Sequence, residues 1–467
     1  MTTRTRPEAI PAQLVFSTAK QLATAIRARE LSAVEVVDAH VAQIDKLNKS
    51  LNAVVTLDAE GARRRAREAD KALAKGEVWG QLHGVPFVLK DAFATAGMRT
   101  TTGFAPLDHV PNEDSTVAFR LKSAGAILLG KSNVATLLAD FQTSNAIFGG
   151  TNNPWDVERT PGGSSGGAAA AVAAGMTPFD VGTDLSGSIR IPAHFCGVFG
   201  FKPTEHRVSL GGVVPDPHGS PRPVRIMSCV GPIARSVDDI ILLYQILAGP
   251  DWRDTDVPPV AVESLPPPEL KQLRIAVAAA LGGFPVAADV REAVENLAKQ
   301  LASLGAIVEE AVLPQVDFES DLENLGALIG MATGAFQQDN QHAPTTLAQY
   351  LAALHLRDRS IVAWEQFFDK YDVLLCPPAM TTAFPHCEPG SPLRVDGKGV
   401  SYRTISAHTA PFNYSGHPAL VLPYDIDSEG LPIGVQLVAK RWSDDRLLAI
   451  ARALSQLTRE FQRPPIA

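Results

Sequence analysis

Short apolar runs alternate with helical patterns along most of this chain, and no other feature narrows its fold as much. "GVPFVLKD" (84–91) is an apolar run closed by a charged pair and reads as a buried strand. "STVAFRLKSAGAILLGKSN" (115–133) reads as a helix, a glycine at Gly125, and the strand "AILLG". Further on, "LRIAVA", "AIVEEAVL", "DVLLCPP", "PALVLPYD" and "GVQLVAK" read as strands, with the helix "DVREAVENLAKQLASLG" closed by Gly305 among them. Strand and helix in alternation predict an α/β layer architecture.

The flanking segments are helical. Thr18 and Gln21, and then Ser32 and Glu35, have the spacing of capping boxes. In the second helix Val34, Val37, Val41 and Ile44 share one face. The basic run of "EGARRRAREADKALAKGE" reads as a solvated helix face. We divide the 467 residues, expected to form one domain, into N-terminal helices (about 15–75), a core (about 80–245), a Pro-rich linker (about 249–272), a variable helical region (about 318–370) and C-terminal strands with a closing helix (about 372–460).

Composition excludes several classes of function. The net charge is −8 with both signs scattered, so there is no footprint for nucleic acid. Ala168–Gly175 is too short to span a bilayer, and "MTTRTRPEAIPAQLVF" has no apolar core of a secretion signal. Cys196, Cys229, Cys376 and Cys387 form no C-x-x-C pair and no zinc spacing. They read as buried free thiols, and a cytoplasmic protein without metal or cofactor is expected.

The residues with chemical potential are few. Lys90 ends an apolar strand, where burial can pull a lysine's pKa toward neutrality and make it a base. "PGGSSGG" (161–167) and "GTDLSGSIR" (182–190) are Gly/Ser clusters whose backbone N–H groups can turn inward as a nest for an anion. The first contains G-x-S-x-G at Gly162, Ser164 and Gly166, which would make Ser164 the nucleophile of an α/β-hydrolase, with His386, His408 or His417 as its partner.

In combination these stretches resemble the amidase signature family. "GGSSGGAAAAVAAGMTPFDVGTDLSGSIRIP", "GVPFVLKD" and "SNAIFGGTNNPWD" follow its ordered motifs, and "FCGVFGFKPT", "GPIARSVDD" and "GHPALVLP…GLPIGVQLV" continue the likeness over roughly residues 15–460. The resemblance implies the amidase signature fold, a large mixed, twisted β-sheet sandwiched between helices, and a Ser–cis-Ser–Lys triad. Ser188 would be the nucleophile, Ser164 the proton relay after a cis Gly163–Ser164 bond, and Lys90 the base. It implies an oxyanion hole of the backbone N–H groups of Leu185, Ser186, Gly187 and Ser188. Ser165 would support the relay by hydrogen bonding, Asp184 and Arg190 would brace the nucleophile turn as a buried pair, and Thr143, Ser144 and Gly163 would contact substrate. Ser186 stands where the family often has glycine.

The implied reaction is hydrolysis of a carboxylic amide through a seryl acyl-enzyme, with an optimum on the alkaline side of neutral. The residues of 138–148, 212–228 and 318–370 suggest a small apolar or aryl amide, with carbamates and esters as further candidates. The alternative is the A subunit of a glutamyl-tRNA amidotransferase, a glutaminase within a complex. That subunit usually carries a Y-G-R-V-S-R-Y-G-like stretch after K-P-T, where this chain has "KPTEHRVSLGG". The expected partner is a small amide, with no nucleic acid and no membrane. A homodimer is also allowed.

Overall fold

The computed structural model describes residues 14–214, 224–334, 345–458 and 461–466. Its strands are β1 (Val54–Leu57), β2 (Pro86–Lys90), β3 (Ile127–Ser132), β4 (Ser144–Asn145), β5 (Gly149–Gly150), β6 (Phe179–Asp184), β7 (Phe199–Lys202), β8 (Cys229–Ala234), β9 (Arg274–Val277), β10 (Ile307–Glu310), β11 (Val373–Cys376), β12 (Leu393–Val395), β13 (Lys398–Val400), β14 (Ala419–Ile426) and β15 (Pro432–Val438). Eight form a mixed sheet in the order β10-β9-β11-β15-β14-β7-β8-β6. The β9–β10 and β9–β11 pairings are parallel, and the rest of that sheet is antiparallel. A smaller sheet, β1-β3-β2, stands beside β6, and β4–β5 and β12–β13 are short ribbons.

Alternation along the central strands divides the core into layers. Leu420 and Leu422 of β14 pack in one apolar cluster with the helices Val237–Leu247 and Asp444–Ser455. Val421, between them, packs on the other side in the cluster that holds the helices Gly166–Ala173 and Arg190–Cys196. Gly166–Ala173 is buried along its whole length, which its glycine and alanine side chains allow, since they leave room for close neighbours on every face.

Both capping boxes form. Thr18 Oγ1 accepts the Gln21 N–H while Gln21 Oε1 accepts that of Thr18, and Ser32 and Glu35 reciprocate in the same way. The buried face of Ala33–Leu51 is wider than the valine spacing predicts. Val36 and His40 lie in it, and Val34 is only partly covered.

The Pro-rich stretch does not separate two folding units. Strands on both sides of it join the same eight-stranded sheet. The stretch is tied down by Arg207, which donates to the carbonyls of Val260 and Ala261, and by the Glu263 N–H, which donates to Asp445. Three cysteines are buried and Cys387 is half-buried, all as free thiols. The variable region forms the helices Phe318–Gly334 and Leu347–Phe368, while part of the 212–228 stretch lies outside the described residues. No helix among the described residues is long and apolar enough to cross a membrane.

Candidate active site

β2 ends at Lys90 and β6 at Asp184, and every residue of both strands is buried. The strands are linked by Asp180, whose Oδ1 accepts the main-chain N–H of Lys90 at 2.9 Å. The Lys90 side chain reaches three hydroxyls: Nζ lies 2.8 Å from Ser164 Oγ, 2.7 Å from Ser165 Oγ and 2.8 Å from Thr183 Oγ1. Burial draws its pKa from 10.5 to about 7, against the opposing charges of Asp184 and Asp180. A lysine so placed is substantially neutral at pH 7 and has a lone pair available to a hydroxyl proton.

The glycines of "PGGSSGG" allow the close approach. The Gly163–Ser164 peptide is cis. A Cβ on Gly163 would lie 2.6 Å from the Asp140 carbonyl oxygen and 2.7 Å from the Phe141 carbonyl carbon, so no larger residue fits. Ser165 precedes the helix Gly166–Ala173 without capping it through its side chain, because its hydroxyl is engaged by Lys90. The hydrogen bond expected between Ser165 and Ser164 is thus made to Lys90. The Ser165 N–H also donates to the Ser188 carbonyl at 3.2 Å.

Lys90 and Ser164 have no accessible surface, whereas Ser188 is 7% exposed. Of the three, Ser188 is the one a substrate can reach. Among the described residues its hydroxyl makes no hydrogen bond, so the Ser164–Ser188 contact of a proton relay is not closed here.

The turn carrying Ser188 is held by a buried ion pair. Asp184 Oδ1 and Oδ2 accept from Arg190 Nη2 at 2.9 Å and Nε at 3.0 Å. The same carboxylate accepts the N–H groups of Gly187 at 2.8 Å and Ile189 at 3.0 Å. Burial alone would raise the Asp184 pKa, but Arg190 and these donors hold it well below the usual carboxylate range. Arg190 also donates to the Thr409 carbonyl, Gln436 Oε1 and Asn413 Oδ1. Because the Gly187 N–H is turned to Asp184, it faces away from the role expected of it. The N–H groups of Leu185, Ser186 and Ser188 make no hydrogen bond to another described residue, and Thr409 Oγ1 fixes the turn by donating to the Ser186 carbonyl at 2.7 Å.

The expected substrate contacts fall in different settings. The Thr143 hydroxyl is occupied, donating to the Gly162 carbonyl and accepting the Gly166 N–H, both at 2.9 Å. Ser144 is exposed on β4, and Gly163 is buried beneath the 140–142 backbone. The histidines of the hydrolase alternative are elsewhere. His417 lies between Ser415 and Glu365, His408 lies against Leu281 and Pro285, and none of the three is a partner of Ser164.

Sequence reasoning missed Thr183, Asn413 and Asp180. Thr183 immediately precedes Asp184 in "GTD" and could have been suspected from that motif. Asn413, which clamps the Asp184 and Met227 carbonyls, gives no local signal. Among the described residues no cluster of three or more His, Cys, Asp or Glu side chains could hold a metal ion.

A mixed α/β core with a buried lysine against two serines and a third serine on an open turn defines an amidohydrolase, an enzyme acting on C–N bonds. The profile of the Amidase family matches residues 35–340 and 320–448, and the chain belongs to the amidase signature family. It is 36% identical over 495 residues to the A subunit of the glutamyl-tRNA(Gln) amidotransferase of Moorella thermoacetica, covering 97% of this chain and 99% of that one. Among solved structures, a chain of a vestigial protein complex related to the origins of an s-triazine catabolic enzyme superposes with a TM-score of 0.85 at 29% identity, covering 95% of this chain and 100% of that one. A bacterial aryl acylamidase superposes with a TM-score of 0.84 at 26% identity, covering 94% and 96%.

Proposed function

We propose that this amidohydrolase is a glutaminase of the amidotransferase A-subunit type, releasing ammonia from a glutamine carboxamide for a protein partner. The observation that carries the chemistry is the 2.8 Å contact between buried Lys90 and buried Ser164 beside accessible Ser188. Glutamine as the amide donor is favoured by the full-length likeness to amidotransferase A subunits, which supports this reading over the small aryl amide expected from sequence.

Ser188 Oγ attacks the amide carbonyl as Ser164 takes its proton and passes its own to neutral Lys90. The Ser164–Ser188 contact closes with substrate in place, as catalytic hydrogen bonds commonly tighten on binding. The developing oxyanion is received by the N–H groups of Leu185, Ser186 and Ser188, while Gly187 holds the turn through Asp184. The proton returns through Ser164 to the leaving nitrogen, and water then cleaves the acyl-enzyme.

A second reading, a free-standing amidase for an apolar amide, is favoured by one feature. Leu185 packs into an apolar cluster with Met227, Leu325, Leu328 and Tyr414. The deciding experiment measures ammonia from glutamine, with and without candidate partner proteins, beside a panel of anilides, aliphatic amides and carbamates. Ser188→Ala serves as the blank. Glutaminase activity supports the first reading, and turnover of anilides by the chain alone, without glutaminase activity, replaces it with the second.

A further inference from the structure

A carboxyl outside the catalytic triad lies directly behind Lys90. Asp180 is on β6, wholly buried. Its Oδ1 accepts two main-chain N–H groups, that of Lys90 at 2.9 Å and that of Val181 at 2.6 Å. Its Oδ2 has no well-formed hydrogen bond among the described residues, and neither has the Ser132 hydroxyl that faces it from β3. Holding the Lys90 backbone requires only one acceptor oxygen, which an asparagine would supply without burying an ionisable group. The ionisable carboxyl therefore calls for a further role.

We infer that Asp180 is a positioning residue for acyl transfer, fixing the Lys90 backbone and setting, through its charge, the pH at which Lys90 becomes free to act as base. The inference rests on the reading of Lys90 as base given above. Burial pushes the Asp180 carboxyl up to about 7, into the range to which Lys90 is drawn. Groups matched in this way within one dry site titrate as a couple. Other charged groups face the pair. Asp184 is paired with Arg190 and also feels Lys202, while Lys131, on β3, lies 3.7 Å from Asp91 and is also within the field of Asp180 itself. An ionised Asp180 stabilises the Lys90 ammonium, so it delays formation of the neutral base as the pH rises through about 7.

The test is the pH dependence of kcat/KM for whichever amide the wild type turns over, with Asp180→Asn and Ser132→Ala as variants. Asp180→Asn is expected to move the upper part of the acid limb down by a fraction of a pH unit, with the gain relative to plateau greatest near pH 7 and the two profiles merging below about pH 6, where Asp180 is protonated and carries no charge. Ser132→Ala removes a hydroxyl that favours the ionised carboxylate, so it moves the limb the same way by less. If Asp180→Asn does not fold, Ser132→Ala carries the test. A folded variant whose plateau falls while its limb stays in place overturns the inference and leaves Asp180 a structural clamp. Lys90→Met separates the two levels. Activity surviving in Lys90→Met overturns the assignment of Lys90 as base, whereas an inactive Lys90→Met with an unmoved Asp180→Asn limb overturns only the inference about Asp180.

Discussion

Asp184 and Arg190 face each other across the turn that carries Ser188, joined by two side-chain hydrogen bonds, with neither side chain exposed to solvent. The pair makes the five-residue loop 185–189 rigid, because the same carboxylate also holds the Gly187 and Ile189 N–H groups. Removing one partner leaves the other's charge buried and unpaired. Arg190→Met is expected to cost about 3–5 kcal/mol of stability, read as a fall in Cm in urea, and to abolish activity.

The ionisation of Lys90 fixes the sign of the pH–rate profile. With neutral Lys90 as the proposed base, kcat/KM should rise with pH through about 7 and level off above it. A profile flat down to pH 5 would remove Lys90 from the role of base.

The same group links stability to pH. The unfolded lysine holds its proton to about 10.5 and the folded one only to about 7, so the unfolded state binds more protons between these values. Its burial therefore weighs fully against the fold below pH 7, and that penalty is lifted as the pH rises toward 10.5. The Tm of the wild type should climb relative to that of Lys90→Met across this window in a series of thermal melts. A constant difference would mean that Lys90 is not desolvated in solution.

Roles within the serine pair are separable by trapping. A fluorophosphonate is expected to label Ser188, with Ser188→Ala losing at least about 10³-fold in kcat and all labelling. Ser164→Ala should lose about 10²–10⁴-fold and still be labelled slowly at Ser188. An adduct mapped to Ser164 by peptide mass would restore the α/β-hydrolase alternative.

Gly163 tests the packing above the site. A methyl group there meets the backbone of 140–142, which cannot move aside as a side-chain tip could. Gly163→Ala should lower Tm and reduce kcat/KM by at least about tenfold. Wild-type values in both would show that the 140–142 segment yields.

Much of this protein is legible in its sequence because the relevant signals are local. Capping boxes at Thr18 and Ser32, the apolar strand ending in Lys90 and the two Gly/Ser clusters depend on residues close in the chain. Periodicity and turn chemistry report such relations directly, and the ordered motifs were enough to indicate the family. The tertiary structure decided what depends on approach between distant segments. It brought Lys90 to Ser164 across 74 positions, and it turned the Ser165 hydroxyl to Lys90. It committed the Gly187 N–H to Asp184 and surrounded Arg190 with Thr409, Asn413 and Gln436 from the C-terminal region. It also set Asp180 behind the lysine. The physical reason is that a backbone donor or a buried charge takes whichever partner the packed core brings within about 3 Å. That choice is made by the sheet order and the close packing of small residues, which no single stretch of the chain encodes.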